Sequence, residues 1–215
     1  MIKHIFGPVQ SRRLGLSLGI DLIPFKTCTL DCIYCECGKT TNLTIKRKVY
    51  IKTQEIIDEL TLILKNNPKL DYITFAGSGE PTLATNLGEI ISYIKQHWPS
   101  YKIAILTNGT LLFDPEVRTN IALVDLVIPS LDAGTNTLFQ KINIPENKLD
   151  FNSIINGLIA FRKEFAKDIW LEIFIIPTLN DSEKELIKLK EIILRINPNK
   201  VQLNTLDRPG TESWI

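Results

Sequence analysis

Two hydrophobic periods alternate along this chain, and that alternation restricts the fold more than any other feature. Apolar, β-branched runs occur at residues 16–23, 72–76, 102–107, 124–131, 169–176 and 200–206. Each is short and apolar on both faces, as a strand buried inside a parallel sheet must be. Amphipathic stretches of helical period fill the intervals at 53–65, 87–98, 151–165 and 182–196. Ser182 and Glu185 have the spacing of a capping box at the start of the last stretch. Strands in this order require helical crossovers, because a tight turn joins only antiparallel neighbours. About six strand–helix units fit into 215 residues, whereas a closed eight-unit barrel typically needs about 250. The predicted fold is therefore α/β: a partial (β/α)6 TIM-like barrel of parallel strands, with functional groups at the C-terminal strand ends. A flat, doubly wound sheet is the alternative arrangement. No repeat, low-complexity tract or linker marks a second domain.

Composition narrows the class. Hydrophobic residues make up 44% of the chain and charged residues 23%, which suits a compact core and excludes disorder. Twenty-five basic and 24 acidic side chains leave a formal charge of +1, so no global field steers nucleic acid to this surface. No apolar run approaches the roughly 18 residues of a spanning helix, and the start from Met1 to Gly7 lacks the apolar core of a secretion signal. A cytoplasmic protein without membrane association is expected. All four cysteines lie between positions 28 and 37, too close together to staple distant parts of a fold. Metal binding accounts for them better than disulfides do.

The segment Cys28-Thr29-Leu30-Asp31-Cys32-Ile33-Tyr34-Cys35-Glu36-Cys37 separates successive thiols by three, two and one residues, directly after the first predicted strand. Three thiolates on one short loop hold three irons of a cubane and leave the fourth iron open, whereas ferredoxin spacings supply four thiolates and saturate the cluster. Zinc competes, because four thiolates make a tetrahedral structural site. Its usual pattern, two ligand pairs about 12 to 20 residues apart, is missing, and His4 and His97 stand apart from the thiols. A thioredoxin-like pair at Cys32 and Cys35 would open a helix within a different element order. An iron–sulfur cluster is the reading the residues favour.

This spacing, with an aromatic residue just before the third cysteine, resembles the cluster loop of the radical S-adenosylmethionine (SAM) superfamily. The likeness continues in order through the stretch from Gly7 to Ile23, Gly77-Ser78-Gly79-Glu80-Pro81-Thr82, Thr107-Asn108-Gly109, Ser130-Leu131-Asp132-Ala133-Gly134 and Gln202-Leu203-Asn204-Thr205-Leu206. Within the superfamily the chain is similar to iron–sulfur oxidoreductases related to the wyosine-type tRNA synthetases. The resemblance implies a 4Fe-4S cluster on Cys28, Cys32 and Cys35, its open iron chelated by the amino and carboxylate groups of SAM. It also implies that an electron, from a donor such as flavodoxin or ferredoxin, cleaves the sulfonium to methionine and a 5′-deoxyadenosyl radical. That radical removes a hydrogen atom from the substrate. The cofactor carries this chemistry, while the protein orients it, tunes the cluster and excludes water. A non-catalytic iron–sulfur carrier or electron-transfer module is the alternative.

The same resemblance assigns a SAM pocket. Gly79 and Glu80, and less firmly Gly77, match the motif that receives the methionine amine; glycines permit close backbone approach, and carbonyls or a carboxylate accept from an ammonium. Asn108 ends the third predicted strand in a turn. Ser130 and Asp132 match the ribose motif, and Tyr34 either stacks on adenine or packs in the core. Glu172 stands in the apolar run Trp170-Leu171-Glu172-Ile173-Phe174, where an unpaired carboxylate is costly. It is expected to point into the barrel, toward a structural partner such as a lysine or toward SAM or substrate. Asn204 on the last strand is similar, although relatives read adenine mainly through backbone groups.

The substrate is less legible. Arg12 and Arg13, ahead of the first predicted strand, and Lys46-Arg47-Lys48, after the cluster loop, are either solvated surface charge or a rim that favours an anionic substrate, RNA included. Cys37 exceeds the three-cysteine pattern and is expected to be a free thiol. Wyosine-type enzymes carry further cysteines for a second cluster, and this sequence has none. The expected organisation is a single radical SAM core over residues 1–215, either a minimal member or a fragment without a C-terminal extension.

Overall fold

The alternation becomes geometry in the computed structural model, which describes residues 2–212 and 214–215. Strand β1 (Ile5–Ser11) lies antiparallel to β2 (Gly15–Ile20), and a separate small parallel pair, β3 (Thr27–Cys28) and β4 (Asn42–Leu43), follows. The main sheet then grows through β5 (Tyr72–Phe75), β6 (Ile103–Thr107), β7 (Leu126–Pro129), β8 (Asp168–Phe174) and β9 (Lys200–Asn204). Its order is β1-β2-β5-β6-β7-β8-β9, and every pair after the first is parallel. Six parallel strands, with β1 and β9 left as edges, make the open partial barrel that the length predicts. Helices α1 (Thr53–Leu64), α2 (Leu87–His97), α3 (Pro115–Asn120), α4 (Asn136–Ile142), α5 (Phe151–Glu164) and α6 (Glu183–Ile196) form the crossovers. Among the described residues no helix is long and apolar enough to cross a membrane.

Strand parity divides the core into two layers. On the outer face Ile73, Phe75, Ile103, Ile105, Val127 and Leu171 are fully buried. They meet helix stripes such as Ile56, Leu60 and Leu64 of α1, or Leu87, Ile90, Ile91 and Ile94 of α2, spaced for one face of a helix. On the inner face the alternate residues Ala104, Leu126 and Ile128 cluster with Leu14, Tyr72, Leu106 and Trp170. That inner parity carries Glu172 into the barrel, as the sequence predicts, because it lies two residues beyond Trp170 on β8.

Three elements escape the sequence pattern. Strand β1 contains Gly7 and Pro8, which interrupt its alternation; an edge strand tolerates a proline because one side needs no ladder partner. Helices α3 and α4, at six and seven residues, are too short to show a period. Their start signals are nonetheless present: Asp114 accepts from Glu116 N ahead of Pro115, and Thr135 accepts from Leu138 N. The capping box at α6 is half realised. Ser182 Oγ accepts from Glu185 N at 3.4 Å, but the Glu185 carboxylate turns instead to Gly134 N and Thr135 Oγ1 across the α4 entry. Tertiary donors outcompete the local N–H of Ser182.

Because Leu60 is fully buried between α1 and the sheet, Leu60→Ala should cost about 2–5 kcal/mol of unfolding free energy in urea denaturation. Leu194, 70% exposed on α6, should tolerate alanine within about 0.5 kcal/mol. Equal midpoints for the two variants would contradict the layered core.

Candidate active site

The cysteine loop is held at its base and along one flank. Lys26 O accepts from Thr41 N and Asn42 N, and Cys28 O accepts from Thr44 N, so β3 and β4 pinch the loop shut. Along the flank, Asp31 N and Ile33 N donate to the carbonyls of Asn143 and Ile142 at the end of α4, and Glu146 N donates to Thr29 O. Asp31 Oδ1 accepts from Thr40 N at 2.6 Å, folding the far side of the loop back on itself. Residues 207–212 close over it from the C-terminal side: Arg208 pairs with Glu36 at 3.0 Å, and Thr211 Oγ1 donates to Cys35 O.

Cys28, Cys32 and Cys35 are half-buried and face one cavity of about 290 Å³, while Cys37 is exposed and outside it. Each of the three meets one side-chain nitrogen: Asn108 Nδ2 lies 3.5 Å from Cys28 Sγ, Asn143 Nδ2 3.4 Å from Cys32 Sγ, and Lys26 Nζ 3.1 Å from Cys35 Sγ. Burial, reinforced by the Glu80 charge, pushes the Cys28 thiol up to about 11; burial and Asp132 raise Cys32 likewise. Cys35 is lowered to about 5 by a hydrogen bond from Cys37 and, against burial, by Lys26. Among the described residues no three Cys, His, Asp or Glu side chains gather tightly enough around one point to hold a single ion. Three thiols lining one cavity, with the fourth cysteine outside it, fit a cluster that keeps one iron open.

The cavity sits on the inner face at the C-terminal strand ends, walled by Ala76, Gly77, Gly79, Glu80, Asn108, Ser130 and Glu172 as well as by the thiols and Tyr34. Glycine is required at 79 for a reason other than ligand approach. A Cβ there would collide with Thr27 O, so the bare backbone lets the β5 loop press against the cluster loop. Glu80 is 2% exposed, and its carboxylate accepts four protein hydrogen bonds: Oε1 accepts from Thr82 N, Thr82 Oγ1 and Thr107 Oγ1 at 3.0, 2.5 and 2.6 Å, and Oε2 accepts from Asn108 N at 2.8 Å. Burial raises the Glu80 carboxyl, opposed by these four donors. A larger hollow of about 530 Å³ opens at the other end of the strands, beside Leu16, Asn67 and Tyr101, and no thiol faces it.

The other predicted site residues also have protein partners. Asp132 is buried, with Oδ2 accepting from Tyr34 Oη at 2.6 Å and Asn143 Nδ2 at 2.8 Å, and Oδ1 from Phe174 N at 2.8 Å. The Tyr34 ring stacks on Phe174 at 4.0 Å, so it is packed in the core as well as exposed to the cavity. The partner of Glu172 is Arg13, not a lysine. Asn204 Nδ2 reaches Glu172 Oε1 at 3.2 Å from a neighbouring hollow shared with Arg12, Arg13 and Gln202. Of the basic rim, Arg12 pairs with Asp207 at the surface, and Arg47 with Asp114 and Glu116. Lys26, Asn143 and Thr107 were not singled out by the sequence. Lys26 stands two residues before Cys28, but nothing local signals its burial; Asn143 meets the loop only through tertiary folding.

Comparison with known proteins agrees with this geometry. Over 206 residues the chain is 48% identical to a Brachyspira hyodysenteriae protein named GTPase Obg, covering 96% of this chain and 30% of that protein. Over 212 residues it is 39% identical to UPF0026 protein MJ1312 of Methanocaldococcus jannaschii, covering 98% of this chain and 65% of the relative. The chain thus spans less than two thirds of either relative. A phosphate-binding loop does not come with the first name: Gly38-Lys39-Thr40 has Ile33 where that motif needs a glycine. The structure of TYW1 with a lysine-pyruvate adduct bound superposes with a TM-score of 0.61 at 18% identity, covering 88% of this chain and 64% of that one, which supports the fold. The Radical SAM superfamily profile matches residues 22–189, from the end of the first parallel strand into α6. With that match spanning the thiol loop and every wall of the cavity up to Glu172, the chain belongs to the radical SAM superfamily, whose cofactors are a 4Fe-4S cluster and SAM.

Proposed function

We propose that this chain is a radical SAM oxidoreductase core in which Cys28, Cys32 and Cys35 ligate three irons of a 4Fe-4S cluster and leave the fourth to SAM. One observation carries the reading: three thiols, each provided with a nitrogen donor, line a common cavity, and the fourth cysteine does not. Cluster and SAM together supply a one-electron cleavage of the sulfonium, giving methionine and a 5′-deoxyadenosyl radical that takes hydrogen from the substrate. The electron comes from a flavodoxin- or ferredoxin-like donor.

The chain's own residues bind and orient. With four protein hydrogen bonds already on Glu80, we assign the methionine ammonium chiefly to backbone carbonyls of the 76–79 segment, where Gly79 packs against the cluster loop. Ser130 offers its hydroxyl to the ribose, and Tyr34, braced by Phe174 and Asp132, presents a flat wall to adenine. Asn108 orients Cys28, while Glu172 and Asn204 face the substrate side, their charge balanced by Arg13. Ala76, Leu106 and Ile128 keep the floor apolar, which limits water near a reactive radical. Arg12, Arg13 and Arg47 each meet an acidic partner, and this reading names no substrate class.

Anaerobic reconstitution followed by dithionite and SAM should yield 5′-deoxyadenosine and methionine. Alanine at Cys28, Cys32 or Cys35 should abolish that yield, and Cys37→Ser should leave it unchanged. A parent protein that carries four irons yet releases no 5′-deoxyadenosine would be an electron carrier instead. Glu80 has a separate test that needs no cofactor. In Glu80→Gln the amide opposes a backbone N–H, so the apo chain should lose about 1–3 kcal/mol in denaturation. Parent-like stability would return Glu80 to the ligand contacts.

A further inference from the structure

The three nitrogen donors to the cavity thiols come from three separate elements: Asn108 after β6, Asn143 at the C-cap of α4, and Lys26 at the base of the cysteine loop. Two are neutral amides. Lys26 is a cation, and it is 2% exposed. A buried ammonium is costly unless an anion meets it, yet among the described residues no carboxylate pairs with Lys26. Its side-chain partner is Cys35 Sγ at 3.1 Å.

The backbone leads to the same point. Lys26 has a φ of 54°, a left-handed conformation that glycine fills with less strain. Its carbonyl is clamped by Thr41 N and Asn42 N at 3.1 Å each, so the residue is fixed by the closure of the loop. The ammonium is therefore delivered to Cys35 by a rigid base, out of reach of substrate.

We propose that Lys26 is a positioning residue that raises the reduction potential of the cluster bound through Cys35. Reduction adds one negative charge to the cluster, and a fixed cation in a low-dielectric setting stabilises the more negative state. Hydrogen bonds to the sulfurs and local net charge are established determinants of cluster potential, and Lys26 contributes both. The inference rests on the reading that these thiols hold a 4Fe-4S cluster, and it is independent of whether SAM is cleaved.

The test is a potentiometric titration of the reconstituted full chain, followed by the electron paramagnetic resonance signal of the reduced cluster, with iron quantified per chain. At the potential where the parent is half reduced, Lys26→Met should lower the reduced-to-oxidised ratio about tenfold, equivalent to a shift of about 59 mV for one electron. Lys26→Gln, which keeps an N–H without charge, should fall with it, and Lys26→Arg should restore the parent ratio. Neutral variants that carry four irons and titrate like the parent would overturn the proposal. So would neutral variants that remain folded as apo chains but take up no cluster while Lys26→Arg does, because Lys26 would then serve assembly alone. A parent that never binds four irons would sink the cluster reading and this proposal together, whereas an absent Lys26 effect would leave that reading standing.

Discussion

A buried carboxylate survives in a protein only when its lone pairs are met, and two such groups join the strand ends of this barrel. Glu80 gathers donors from its own 3₁₀ turn and from the end of β6, so the loops after neighbouring strands cannot move independently. Asp132 does the same between β7, β8, α4 and the cysteine loop, through Phe174 N, Asn143 and Tyr34. Glu80 thus joins the loops after β5 and β6, and Asp132 joins β8 and α4 to the segment that carries the thiols. Removing one donor from such a network leaves a buried charge short of a partner, which costs more than the lost bond.

That arrangement gives the strand-end acids a structural part. An acid at a strand end has the same sequence appearance whether it faces a ligand or faces its neighbours. Glu80 and Asp132 both read as ligand contacts, and both turned out to have three or four protein donors. In the proposed function both act at one remove, Glu80 by fixing the loop after β5 and Asp132 by holding the Tyr34 ring. Preorganisation of this kind is useful because the holding groups need not rearrange when a ligand arrives.

Much of the fold was legible because burial leaves a periodic trace. The six parallel strands coincide with the apolar runs to within two residues at their starts and end before them or with them, since the last residues of a run often belong to the loop that bears the site, as Ser130 and Leu131 do beyond β7. The thiol trio was legible because its ligands are contiguous. What escaped was nonlocal or short. Asn143 meets Cys32 across 111 residues, Glu185 leaves its own helix cap for Gly134, and Arg13 reaches Glu172 from the other edge of the sheet. No local pattern encodes a choice between two satisfactory partners, because each alternative satisfies the same chemistry. Tertiary distance decides it.

The inner face also shows why a few charges carry weight. Its lower part is filled by Leu14, Ala104, Leu126 and Ile128 beside the buried hydroxyl pair of Ser17 and Thr74, and the cavity lies above them at the C-terminal strand ends. Charges held above such a floor are weakly screened, so each acts over a longer distance than it would at the surface. In that setting the balance around the thiols is local and small in number: Glu80 on the side of Cys28, Asp132 near Cys32, and Lys26 against Cys35. The two acids disfavour added negative charge on the loop and the lysine favours it. Burial acts first on Cys28 and Cys32 and the Cys37 hydrogen bond first on Cys35, with these three buried charges superposed; the near-zero net charge of the chain has little part in it.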